Sequence, residues 1–200
     1  MRRFVVAVCI AACGLLAASA SHATVINYFA ALSGPAESPP NASPGTGLAT
    51  ARLDTTLHTL SVTVTFTGLL GPTTASHIHC CTTIPFVSTA GIATVTPTFT
   101  GFPLGVTSGS YTSPVFDLST AAGWNAAFIT ANGGTPASAE AALLAGLNAG
   151  EAYLNVHTTV VPGGEIRGFL QAPEPATLAL IGSGLLGLGS VRRQRRRSRR

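Results

Sequence analysis

The stretch His58–Gly68, "HTLSVTVTFTG", has the period of a half-buried β-strand. Its large apolar side chains fall on one face and its hydroxyl side chains fall on the other: Leu60, Val62, Val64 and Phe66 against Ser61, Thr63, Thr65 and Thr67. The preceding segment, "LATARLDT" (48–55), alternates as well. The short connection "DTTLH" (54–58) between the two segments predicts an antiparallel hairpin.

Similar short patterns recur along the chain and are separated by stretches rich in Pro, Gly and Asn. They predict further strands at Ile26–Ser33, Ser76–His79, Ala90–Thr96, Ser113–Leu118, Ala152–Thr158 and Glu165–Leu170. One segment rich in Ala and Leu, Ser138–Asn148, predicts a helix with Ser138 as its N-cap. The sequence therefore predicts a mainly β fold, an antiparallel β-sandwich or barrel with one short helix.

The N-terminus has the pattern of a secretory signal peptide. Two arginines precede an apolar run from Phe4 to Ala18, and "SHA" (21–23) provides small residues at the cleavage positions. We expect residues 1–23 to be removed by signal peptidase. The segment Ile10–Cys13 offers an alternative as a lipoprotein cleavage box, although little apolar sequence precedes it.

The body between residues 24 and 171 is acidic although the whole chain carries a formal net charge of +4. It holds two basic residues and six acidic ones, a net charge of −4, and the chain has no lysine. A basic patch for nucleic acid cannot form on such a body. The body also keeps only two cysteines, which are adjacent, so separated cysteines cannot staple it and it must bury a core of its own.

The C-terminus combines three features in order. Pro173, Glu174 and Pro175 precede sixteen uncharged residues (176–191), and seven arginines lie in the last nine positions (192–200). As a helix the uncharged segment would span about 24 Å, close to the roughly 30 Å of a bilayer core. The arginines would stay on the cytoplasmic side and leave the body outside. We expect a transmembrane helix here.

Two histidines, His77 and His79, stand two residues apart on a predicted strand, so their side chains share one face. His157 on another predicted strand supplies a third imidazole if the strands meet. Imidazole binds Zn and Cu, so the three residues are candidate metal ligands. The alternative is that these histidines only form hydrogen bonds with neighbouring backbone. The remaining body histidine, His58, lies in the predicted hairpin turn.

Cys80 and Cys81 follow the histidine pair directly. Three interpretations stay open: a vicinal disulfide, which adjacent Cα atoms at about 3.8 Å would strain, a metal or redox role, and a pair of reduced thiols. In "PGGEIRG" (162–168), Glu165 and Arg167 are also two residues apart, and we expect a structural ion pair. We find no nucleophile elbow, phosphate-binding loop or catalytic triad, and we expect no enzymatic activity.

The last 29 residues resemble the PEP-CTERM sorting signals of Gram-negative bacteria, with Pro-Glu-Pro, span and arginine cluster in the same order. The resemblance implies recognition by an exosortase, a membrane transpeptidase, which removes the tail near Pro173–Pro175. The inner membrane would then be a transient anchor. The expected destination is the cell surface or the extracellular matrix.

The body is similar to the CHRD domain over about residues 27–170. "SHIHCC" (76–81), "AYLNVHT" (152–158) and "PGGEIRGFL" (162–170) occur in the family's order, and the opening "YFAALSGPAESPP" (28–40) fits its start. The adjacent cysteines depart from the chordin-type pattern. The resemblance implies an immunoglobulin-like β-barrel, with a suggested similarity to copper/zinc superoxide dismutase folds.

Three segments are therefore expected: signal peptide 1–23, CHRD-like β domain 24–171 and sorting signal 172–200. The first functional hypothesis is a non-enzymatic binding or structural module at the surface, with exopolysaccharide or surface proteins as partners. The alternative is a Cu- or Zn-binding, dismutase-like metalloprotein that uses His77, His79 and His157. A dismutase-like site usually needs more nitrogen ligands than these three.

Overall fold

A computed structural model describes residues 25–173. The expected signal peptide, Glu174, Pro175, the apolar segment 176–191 and the arginine tail lie outside the described residues. Eight strands, two α-helices and two three-residue 3₁₀ helices make up the regular structure of this part of the chain. Their bounds are β1 Val25–Ser33, β2 Thr46–Asp54, β3 Thr59–Thr67, β4 Thr73–His79, β5 Gly109–Thr112, β6 Phe116–Asp117, α1 Ala126–Ala131, α2 Pro136–Ala149, β7 Tyr153–Thr158 and β8 Ile166–Phe169.

The strands form one antiparallel sheet that curves into a half-barrel, in the order β4-β7-β8-β1-β2-β3-β5, with the short β6 also paired to β3. The mainly β, antiparallel class predicted from the sequence is confirmed. The predicted hairpin is β2–β3, where Asp54 pairs with Thr59. The Asp54 carboxylate closes the turn by accepting hydrogen bonds from the backbone N–H groups of Thr56 and Leu57.

The alternation in β3 separates core from surface as expected: Leu60, Val62, Val64 and Phe66 are buried. They pack in one hydrophobic cluster with alternate residues of β1, β2, β4, β7 and β8. The longer helix, α2, contributes Leu143 and Leu147 to the same cluster. Because each strand buries one face in this core, the positions between the core residues point to the outer face of the sheet.

Two predicted strands and one helix boundary differ from the structure. Segment 90–96 forms only isolated bridges. Of the expected strand 113–118 only Phe116–Asp117 pairs, as β6, and the strand before it, β5, was not predicted. Helix α2 starts at Pro136 rather than after Ser138, because Thr135 is the N-cap and forms a capping box with Ser138. A second helix, α1, has six residues. Within residues 25–173, neither helix has the length and apolar composition needed to cross a bilayer.

Candidate metal centre on the outer face of the sheet

Strands β4 and β7 bring the three predicted histidines together. His77 pairs with Asn155 and Ala75 pairs with His157, so the three imidazoles lie on one face of the two strands. Their candidate ligand atoms all lie within 4.8 Å of one another. A triangle of that size has its centre about 2.8 Å from each corner, so small side-chain movements would give the roughly 2.0–2.1 Å bonds of zinc to imidazole.

This face is the outer one, yet the site is covered. The neighbouring positions Ile78, Leu154 and Val156 point into the hydrophobic core. Two loop segments, 34–43 and 80–92, cross the outer face: the Ala90 carbonyl contacts His79, and the carbonyls of Ala36 and Ser88 contact Arg167. Burial of the histidines therefore results from these loops and not from the core of the half-barrel.

Backbone carbonyls fix the orientation of two of the rings. The Nδ1 atoms of His79 and His157 lie 2.8 Å from the carbonyl oxygens of Ala90 and Pro162, respectively. Each Nδ1–H therefore donates to a carbonyl, which makes Nε2 the unprotonated nitrogen of each ring. His79 Nε2 lies 3.2 Å from His77 Nδ1. His157 Nε2 is buried and has no hydrogen-bond partner among the described residues.

The histidines are held in the neutral form that binds metals. Burial lowers the pKa of His77 to about 3, and the neighbouring His157 and His79 add to the effect. Burial lowers the pKa of His79 to about 4 and also lowers the pKa of His157. At neutral pH the three rings therefore present uncharged nitrogens, and metal binding needs no prior proton release from them.

Other side chains on the same outer face surround the triad. Tyr153 stacks on His79 with ring centroids 4.8 Å apart, and the Arg167 guanidinium lies 4.7 Å from the Tyr153 ring centroid. The Asn155 Oδ1 atom is buried and lacks a hydrogen-bond partner within residues 25–173. Tyr153, Asn155 and His157 are alternate residues of β7, so the sequence already places their side chains on one face. This signal is missed when only the histidines are considered.

The predicted ion pair between Glu165 and Arg167 is wrong. The Arg167 Nε atom lies 3.8 Å from Glu37 Oε2, and both side chains are buried. Glu165 instead accepts hydrogen bonds from the hydroxyls of Ser43 and Thr158 and from two backbone N–H groups. Because four donors satisfy the Glu165 carboxylate without a cation, Arg167 pairs with Glu37 of the 34–43 loop instead.

Glu37, the acid that pairs with Arg167, is a residue of this face that sequence reasoning missed. Burial raises its pKa to about 7, although Arg167 opposes the increase. Its Oε1 atom is buried without a hydrogen-bond partner in the described part of the chain. A Cβ added at Gly164 would lie 2.6 Å from Glu37 Oε1 and 2.7 Å from Asn155 Nδ2, so glycine makes room for both side chains.

The cysteine pair forms a vicinal disulfide, with a cis peptide bond between Cys80 and Cys81. Its sulfur atoms pack against Gly146 of α2, and the group of candidate ligands found among residues 25–173 contains only the three histidines. His58 lies apart from the triad, in the β2–β3 turn, where its Nδ1 is 2.7 Å from Glu140 Oε2.

The fold is an antiparallel half-barrel, and a cluster of three histidines lies beneath the loops on its outer face. The CHRD domain family model matches residues 28–170, most of the chain, and the chain belongs to that family. A PEP-CTERM protein-sorting motif matches residues 171–196. Comparison with curated proteins found no match, and comparison with solved structures found none.

The two family matches together indicate an exosortase-sorted extracellular protein. The sorting motif implies processing by an exosortase during export. It also implies a cell-surface or extracellular location in a Gram-negative bacterium.

Proposed function

We propose that the exported body is a non-enzymatic module of the cell surface or extracellular matrix that binds a Zn²⁺ or Cu²⁺ ion through His77, His79 and His157. The observation that carries the proposal is the convergence of three neutral imidazoles, one of which presents a buried, unpartnered Nε2. An orphaned buried nitrogen is costly, and a metal ion would satisfy it. The donor set of uncharged nitrogens suits these two borderline ions.

The ion would join two strands and the loops above them. His77 and His79 come from β4, and His157 comes from β7. The carbonyls that hold His79 and His157 belong to Ala90 and to Pro162. Binding at the triad would therefore stabilise the folded body. Asn155 Oδ1, opposite His77 and without a partner among the described residues, is the fourth oxygen or nitrogen donor available.

We favour binding over catalysis because the ligand set stops at three histidines in the part of the chain that the structure describes. The fourth body histidine, His58, is held by Glu140 in the β2–β3 turn. Superoxide turnover by the copper-loaded chain is the corresponding test. Turnover above that of free copper would make the protein an enzyme of the dismutase-like kind, whereas none is expected.

Metal binding is tested with the full-length chain, purified in mild detergent without a histidine tag and stripped with a chelator. Titration with Zn²⁺ should give one ion per chain and raise the melting temperature. At a free concentration of 100 Kd, the stabilisation is about 2.7 kcal/mol. The His157→Gln variant should lose this response, and the matched His58→Gln variant should keep it. Equal binding by both variants, or no binding by the parent chain, would contradict the proposal.

A further inference from the structure

The body stays ordered up to the edge of the sorting motif. The backbones of Phe29 and Gln171 exchange two hydrogen bonds, of 2.8 and 2.9 Å, so Gln171 is fixed to the sheet. Only five residue steps separate Gln171 from Ala176, where the apolar segment of the sorting motif begins. Whatever their conformation, five residues reach no farther than about 18 Å. When the apolar segment enters a bilayer, this side of the body must therefore lie close to the membrane surface.

Exposed apolar side chains surround this point. Phe29, Ile84, Phe86 and Val87 are all exposed, and Phe169 is half-buried with its ring centroid 5.8 Å from that of Phe86. We call these five residues the exit patch. Phe29 and Phe169 lie on the same face of neighbouring strands, since the pairing places Gln171 opposite Phe29.

Phe86 also borders the chain exit directly. It lines one surface depression, of about 160 Å³, together with Gln171 and Ala172. Phe86 and the start of the sorting segment therefore share one surface.

The backbone holds Phe86 outward at a conformational cost. Its φ angle of +62° lies in the left-handed region, which is unfavourable for a bulky side chain. The Phe86 N–H donates to the Gly150 carbonyl at 2.8 Å, and the ring lies over Gly150, where an added Cβ would come within 2.3 Å. A strained residue that leaves about half of an aromatic ring in water points to a surface kept for contact.

We infer that the exit patch inserts into the headgroup–acyl boundary of the bilayer while the sorting segment is anchored. Aromatic and aliphatic side chains favour this boundary. None of the five residues is charged, and the body carries a net charge of −4, so attraction to anionic lipid cannot drive the contact. The inference rests on the proposed transient anchoring. Its consequence is that Pro173–Pro175 are held at the membrane surface, within reach of a membrane transpeptidase.

The test places a tryptophan in the patch of the full-length chain. Phe86→Trp is compared with Leu70→Trp, because Phe86 and Leu70 are 52 % and 53 % exposed. The Leu70 N–H donates to Glu165, ahead of β8, whereas the exit follows β8. The six extended residue steps from Glu165 to Gln171 cover about 20 Å, so Leu70 lies well away from the exit patch. The native Trp124, 5 % exposed, supplies a constant background that the parent chain measures.

The variants are reconstituted into phosphatidylcholine vesicles that contain lipids brominated near the top of the acyl chains. We expect about half or more of the emission added by Phe86→Trp to be quenched, and little of that added by Leu70→Trp. The quenching should persist in 1 M NaCl, where charge attraction is screened. Ile84→Trp is the second patch variant if Phe86→Trp fails to fold.

Two failures are distinguishable. If the chain floats with the vesicles but the patch tryptophans are quenched no more than Leu70→Trp, the inference is overturned and the anchoring stands. Quenching that disappears in high salt would overturn the inference in the same way. If the full-length chain does not float with vesicles at all, the anchoring fails and the inference falls with it.

Discussion

Lowering the pH of the metal-free protein from 7 to 5 should reduce its free energy of unfolding, and Glu37→Gln should make that loss larger. The histidines drive the loss. Burial lowers the pKa of His77 to about 3 and that of His79 to about 4, well below the ordinary value of 6.5. The unfolded chain therefore binds more protons than the folded one between these values, and stability decreases as the pH falls below 6.5.

The magnitude follows from the size of this window. At pH 5 each of the two rings is protonated in the unfolded chain and neutral in the folded one, which costs about 2 kcal/mol per histidine relative to neutral pH. Their sum is about 4 kcal/mol, and the lowered pKa of His157 acts in the same direction.

Glu37 opposes this loss. Burial raises its pKa to about 7 from 4.5, so its contribution to stability is full below pH 4.5 and is lost as the pH rises through 7. Between pH 7 and pH 5 it therefore offsets about 2 kcal/mol. The parent chain should lose about 2 kcal/mol over this interval and Glu37→Gln about 4 kcal/mol.

Urea unfolding in the presence of a chelator, followed by the fluorescence of the buried Trp124, measures both slopes. His77→Gln is the control and should reduce the pH-dependent loss by about 2 kcal/mol. If the free energy of unfolding changed equally with pH in the parent chain and in Glu37→Gln, the raised pKa of the buried Glu37 would be refuted. A stability that does not change between pH 7 and pH 5 in Glu37→Gln would refute the burial of neutral histidines.

Three further substitutions test the packing around the site by urea unfolding, with Gly163→Ala as their control. Gly168→Ala should destabilise the fold by about 3 kcal/mol, because its Cβ would lie 2.2 Å from the Ala31 carbonyl oxygen. Gly163→Ala, with nothing within 4 Å of the added Cβ, should stay within about 0.5 kcal/mol of the parent. Gly146→Ala should cost about 2 kcal/mol, since its Cβ would lie 2.3 and 2.6 Å from the two disulfide sulfurs. Glu165→Gln should cost about 3 kcal/mol by weakening four hydrogen bonds to a buried carboxylate; losses below about 1 kcal/mol in Gly168→Ala or Glu165→Gln would contradict the described contacts.

The parts of the fold that local pattern determines could be predicted from the sequence. The alternation of Leu60, Val62, Val64 and Phe66 determines which face of β3 is buried, and the period of two placed His77 and His79 side by side. The start of α2 was also encoded, because Thr135 and Ser138 with Pro136 between them match a capping box. The predicted cap at Ser138 is wrong because Ser138 occupies the N3 position of the helix, where it completes the capping box with Thr135.

Long-range pairing was not readable from local pattern. Glu37 lies in a loop 130 residues before Arg167, and only the β1–β8 pairing of Ser33 with Arg167 brings the two charges together. The nearer Glu165 was the natural sequence partner, but the hydroxyls of Ser43 and Thr158 already satisfy it. Similarly, segment 90–96 has the composition of a strand, yet it meets the sheet only through isolated bridges, one of them to His79 of the edge strand β4.

The proposed metal centre is tested most directly by X-ray absorption spectroscopy at the zinc edge on the full-length chain loaded with one equivalent of Zn²⁺. We expect a coordination shell of nitrogen or oxygen at about 2.0–2.1 Å. The multiple-scattering pattern should correspond to three imidazoles, and His157→Gln should reduce it to two. A sulfur shell at about 2.3 Å, or a shell without imidazole scattering, would contradict metal binding by His77, His79 and His157.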